Sequence, residues 1–155
     1  MASTLEKIDP KLERWIARQP LFFVGTAPVG GYANVSPKAP ISTLAVLGPY
    51  EVAYLDLAGG AAETIAHLRE NGRIVVMLCA FSGPPKIIRL HGRGDVILPD
   101  DERFGELAAR FGSVATAAAH RAIVRVDIER IAKSCGYGVP LMDHVGEREP
   151  VPAPA

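Results

Sequence analysis

The chain has 155 residues, 48% of them hydrophobic, with 17 Lys+Arg set against 17 Asp+Glu. That length suits one domain with one core, that hydrophobicity excludes a disordered chain, and zero net charge speaks against nucleic acid as a partner. No apolar run approaches the ~20 residues of a membrane helix, and 15 Gly with 13 Pro imply many turns and short strands.

Asp9-Pro10 starts a short helix whose apolar face is Leu12, Trp15 and Ile16, and Pro20 ends it. A strand follows over 21–27, then a hairpin turn at Pro28-Val29-Gly30-Gly31 and a return strand over 32–38 stopped by Pro37 and Pro40. Strands are expected over 42–47 and 51–57 around Gly48-Pro49. Gly59-Gly60 leads into a helix over 61–71, with Ile65 and Leu68 inward and Asn71-Gly72 as its stop. The unbroken apolar run within 73–81 is the best central strand. The stretch 86–98 is another strand, with Gly92 and Gly94 marking a bulge or barrel bend.

A helix over 99–112 has Asp100 and Asp101 at its positive end and Phe104, Leu107 and Phe111 facing inward. Residues 113–120 add a helical turn, and 122–128 form the last strand. The pattern predicts a mainly β chain with short helices (α+β): a small barrel of six to seven strands with helices at its rims. Residues 1–146 read as a single domain with an N-terminal helix, and 147–155 as a flexible Pro/Ala-rich tail. Cys79 and Cys135 read as buried small hydrophobes in a reduced setting. With no apolar leader at the start, the expected location is the cytoplasm.

His67, His91, His120 and His144 stand apart from one another and from metal-ligand spacing, so no metal site is expected. Two segments carry candidate chemistry. Asn34-Val35-Ser36-Pro37-Lys38 holds an amide, a hydroxyl and a lysine on a proline-stopped strand, suited to an anionic or multi-acceptor ligand. An ordinary turn with an exposed lysine reads equally well. Leu57-Ala58-Gly59-Gly60 runs into the helix bearing Glu63 and Thr64, where backbone N–H groups suit a phosphate. A plain strand-to-helix turn is the commoner use of such a pattern.

Several stretches form a suggestive series in chain order: 21–27, Asn34 to Lys38, Val52-Ala53-Tyr54-Leu55-Asp56-Leu57, 63–71, and Arg89-Leu90-His91-Gly92-Arg93-Gly94. This series resembles the pyridoxamine 5′-phosphate oxidase-like family of FMN-binding split β-barrels, across roughly residues 12–140. The resemblance implies a homodimer with FMN at the subunit interface. It implies FMN contacts at Asn34, Val35, Ser36 and Lys38, with Tyr54 and Leu55 on a second flavin strand. Glu63 and Thr64 fall where the oxidase has an Arg-Lys phosphate pair, and the oxidase's C-terminal arginine clamp is replaced by a turn containing Cys135 and Tyr137. These departures argue against vitamin-B6 oxidation. The expected activity is an FMN-dependent oxidoreductase on a small organic substrate, with Lys38 stabilising charge near the cofactor and Cys135 and Tyr137 at the substrate end. The alternatives are a deazaflavin-dependent reductase and a non-catalytic dimer binding flavin or haem.

Overall fold

Side chains that alternate between two faces of an antiparallel sheet set the architecture. A computed structural model describes residues 3–57, 62–117 and 120–148 of the chain. The elements, in chain order, are β1 (Ser3–Leu5), α1 (Pro10–Ile16), β2 (Phe22–Thr26), β3 (Asn34–Lys38), a 3-10 turn (Ile41–Thr43), β4 (Leu44–Gly48) and β5 (Glu51–Leu57). They continue with α2 (Ala62–Asn71), β6 (Arg73–Cys79), β7 (Ile87–Ile97), α3 (Phe104–Ala109), α4 (Ser113–Ala117) and β8 (His120–Ser134).

The strands form one antiparallel sheet in the order β3-β2-β6-β7-β8-β5-β4, with β1 added beside β8. The sheet curls on itself, so the expected split barrel is the observed fold. Among the described residues it has eight strands, where six or seven are expected. β1 is absent from the expected strands because Ser3-Thr4-Leu5 is too short to show a period. The last strand, expected to stop at residue 128, runs on to Ser134. Its register slips past Glu129: Gly92 faces Ile128, whereas His91 faces Arg130. A bulge breaks the alternation on which the expected boundary rested.

The inner face carries the main core, including Phe22, Val24, Val52, Tyr54, Val76, Leu78, Ile88, Leu90, Val124 and Val126. Helix α1 plugs one end with Leu12, Trp15 and Ile16. Its start is as expected, with Pro10 in the first turn and the Asp9 carboxylate accepting from the Leu12 N–H at 2.7 Å. On the outer face, α3 and α4 cover a second cluster of Ala53, Leu55, Ile97, Phe104, Phe111, Ala115 and Ile123. The helix expected over 99–112 is thus shorter, and Asp101 instead turns back to bind Arg103.

Cys79 is buried as expected, but Cys135 is exposed, because it lies past the end of β8. Glu147 and Arg148 are exposed; the remainder of the expected tail, 149–155, lies outside the described residues. Among the described residues, no helix is long and apolar enough to cross a membrane.

The bulge depends on Gly92, where an added Cβ would fall inside the Asp127 carbonyl of the neighbouring strand. Gly92→Ala is expected to lower stability by about 2 kcal/mol or more. Thermal or urea unfolding of the variant beside the wild type measures it.

Candidate functional site

Strand β3 is an edge strand, and its residues alternate between half-buried (Asn34, Ser36, Lys38) and exposed (Val35, Pro37). Pro37 has no N–H to give, which suits an edge. The side chains of Asn34, Ser36 and Lys38 share one face. There the curl of the sheet brings β3 toward β5 and the start of α2, which are not its neighbours in the sheet order.

The Asn34 amide donates to the Ser36 hydroxyl and to the Thr64 hydroxyl, both at 3.1 Å. Beside this cluster the Lys38 ammonium donates to Asp56 Oδ1 at 3.0 Å, with side-chain exposures of 14% and 0%. This ion pair crosses the split between β3 and β5. The second Asp56 oxygen and the Tyr54 hydroxyl are both buried and have no hydrogen-bond partner among the described residues. Burial, with the Asp56 charge added, pushes the Tyr54 phenol far above its ordinary range, so it stays protonated. The Tyr54 ring meets Phe22 edge-on at 5.7 Å between centroids, and Lys38 lies 6.0 Å from its centre.

The opposite face of β3 opens onto a shallow depression of about 350 Å³. Val35, Gly25, Val75 and His91 lie side by side across β3, β2, β6 and β7, and all four line it, with Arg73 and Asn34 at its rim. Gly25 makes the floor flat, since a Cβ there would stand 2.9 Å from the Val75 methyl. Burial, then Arg130 and Arg89, hold the His91 imidazole below its ordinary pKa. Exposed apolar side chains continue this surface: Val35 is 68% exposed and Tyr32 93%.

The expected site residues divide into groups. Asn34, Ser36, Lys38 and Thr64 come together on the inner face. Thr64 is fully buried beneath Asn34 and holds it from below. Val35 points to the outer depression. Tyr54 belongs to the inner core and Leu55 to the cluster under α3 and α4. Glu63 is exposed at the start of α2, and Cys135 and Tyr137 are exposed, Tyr137 at 85%. The glycine loop 58–60 lies outside the described residues. Two residues of the site are not among those expected. Asp56 lies within the Val52–Leu57 stretch, where an acid in an otherwise apolar strand is itself a signal. His67 is half-buried and bonds the Thr26 hydroxyl at 3.0 Å through Nδ1.

Comparison with known proteins bears on this geometry. A family profile described as pyridoxamine 5′-phosphate oxidase matches residues 8–135. The pyridoxamine 5′-phosphate oxidase family protein ustO of Aspergillus flavus is 48% identical over 140 residues, which are 89% of this chain and 56% of that protein. The chain thus spans little more than half the length of this curated relative. Among solved structures, a FAD-binding protein from Mesorhizobium loti superposes with a TM-score of 0.60 at 16% identity, covering 86% of this chain and 96% of the other. HutZ, the heme storage protein from Vibrio cholerae, gives 0.58 at 16% identity, covering 84% and 97%. At such identity these two establish the fold alone.

Two outcomes follow from the geometry. Thr64→Val removes one of the two acceptors of the Asn34 amide and is expected to cost about 1–2 kcal/mol in urea unfolding. For His91, a folded pKa below the ordinary 6.5 means that the unfolded chain takes the proton more readily. The stability this group contributes is complete above that value and is lost as pH falls toward the lower folded value. His91→Gln is expected to flatten this acid-side loss when urea midpoints are compared from about pH 8 to pH 5.

Proposed function

The chain belongs to the pyridoxamine 5′-phosphate oxidase family, and from that premise we propose that it is a homodimeric flavoprotein. In this reading it binds FMN and serves as an oxidoreductase for a small organic substrate. The observation that carries the proposal is the grouping of Asn34, Ser36 and Lys38 on one face of an edge strand, backed by Thr64 and Asp56.

This donor set fits a phosphate-bearing, multi-acceptor ligand. The Ser36 hydroxyl accepts from Asn34 and keeps its own hydrogen for a ligand oxygen. Lys38 supplies the positive charge, and Asn34 is fixed by two acceptors, so little order remains to be imposed on binding. Glu63 is exposed at the start of α2, which leaves the inner cluster free of its charge. FMN, when bound, supplies the redox chemistry; the protein supplies pose and electrostatics. Ser36 orients the ligand, and Lys38 balances negative charge at the mouth of the barrel. Val35, Tyr32 and the Gly25 depression, on the opposite face of β3, form the apolar surface on which a second subunit is expected to close. The 134–140 turn has no arginine, which favours a substrate other than a vitamin-B6 phosphate. We place the protein in the cytoplasm.

A second reading, a non-catalytic flavin- or haem-binding dimer, is favoured by half-buried His91 in the depression, whose neutral imidazole is the form that ligates iron. The heme storage function named for one structural neighbour points the same way.

Fluorescence titration of the purified protein with FMN, a deazaflavin and hemin separates these readings. Quenching of FMN at micromolar protein is expected, weakened about tenfold or more in Lys38→Met. A tighter fit to the deazaflavin reassigns the cofactor. Hemin binding without FMN binding supports the second reading. NAD(P)H turnover that requires added FMN supports the enzyme.

A further inference from the structure

We propose that a cavity beside the end of α1 is a further binding site, for a small organic ammonium ion with an apolar body. It shares no lining residue with the Asn34 cluster or with the depression at Gly25, and it stands independently of the flavin reading.

The cavity has a volume of about 400 Å³, within the range of small-molecule pockets. Three turns remote in sequence build it: 17–20 after α1, Pro40 and Ile41 after β3, and Phe81 and Ser82 after β6. Met142, Asp143, His144 and Glu147 supply the remaining wall. Their stretch of chain has no regular structure, yet it is tied down. The Met142 N–H donates to the Phe81 carbonyl at 2.9 Å, and the His144 Nε2–H donates to Glu147 Oε1 at 3.0 Å. An adjoining pocket of about 120 Å³ shares Pro20, Phe81 and Met142 and extends the apolar part of the lining.

The key group is Gln19, which lines the cavity and is only 7% exposed. Its side-chain N–H donates to the Trp15 carbonyl at 2.7 Å, which fixes the orientation of the amide. The amide oxygen is left without a partner among the described residues. A buried acceptor in that position calls for a donor. Asp143 adds a carboxylate that is likewise unpaired among the described residues, and Glu147 adds a second. These acceptors suit a cation. Among the described residues no cluster of three or more His, Cys, Asp or Glu could hold a metal ion. Pro20, Ile41, Phe81 and Met142 instead offer apolar surface, so an ammonium on an apolar body satisfies both halves of the lining. Arg18, exposed and also in the lining, suits a carboxylate on the same ligand, as in an α-amino acid.

The test is calorimetric titration of the purified chain with phenethylamine, L-phenylalanine and phenylpropionate, with the Gln19 side-chain amide followed by NMR. The two ammonium ligands are expected to saturate the site below about 10 mM and to shift the Gln19 signal, and phenylpropionate to bind about tenfold or more weakly. Tighter binding of L-phenylalanine assigns an amino acid with Arg18 on its carboxylate, and tighter binding of phenethylamine assigns a simple amine. Asp143→Asn changes an exposed residue, so it is expected to melt at the wild-type temperature yet to bind phenethylamine about threefold or more weakly. Gln19→Leu also breaks the bond to Trp15, so Asp143→Asn is the decisive variant. No saturation by either ammonium ligand at about 10 mM overturns the proposal. So does phenylpropionate binding as tight as theirs, or wild-type affinity in Asp143→Asn.

Discussion

The ion pair between Lys38 and Asp56 ties together strands that the sheet itself leaves apart. β3 ends one side of the sheet, and β5 lies near the other side. A sheet curled this far needs something to hold its flanks together, and apolar contact between Phe22 and Tyr54 does so only deeper inside. At the mouth the closure is ionic. It buries a carboxylate completely, which is tolerable only beside a cation. Asn34, Ser36 and Thr64 assemble at the same seam, so the polar cluster and the closure of the barrel are one piece of structure.

The two faces of the sheet have different duties. The inner face is filled by aliphatic and aromatic side chains except at the seam, where the polar residues gather. The outer face is covered by α3 and α4 over one part and bare over β3, β2, β6 and β7. The bare part has a flat floor at Gly25 flanked by the apolar side chains of Val35 and Val75, features that suit contact with a broad surface more than with water. A ligand held at the seam and a partner on the bare face would both lean on β3, one on each side of the strand.

Much of this is legible in the residues. Asp9-Pro10 marks α1, Asn71-Gly72 ends α2 with Gly72 at a φ of 70°, and Glu51–Leu57 and Arg73–Cys79 are strands where their apolar content puts them. The alternation in Asn34 to Lys38 already places three polar groups on one face. What escapes is non-local. No spacing rule links Lys38 to Asp56 or Asn34 to Thr64, because those contacts exist only once the sheet has curled. Tyr54 and Leu55 group naturally as one flavin strand, yet adjacent strand residues face opposite ways and enter different clusters. The long β8 is hidden by its own bulge, and Cys135 by its place just past that strand.

Pro37 has a consequence for how this protein behaves in a crowd. A sheet edge is an invitation to further strands, and unguarded ones seed fibrils and swapped assemblies. β3 is such an edge, and it carries the half-buried polar face of Asn34, Ser36 and Lys38. A proline in mid-strand removes one N–H from that flank and denies an invading strand a full ladder. The same residue that makes the segment look like a stopped strand in the sequence thereby guards this edge against pairing with another strand.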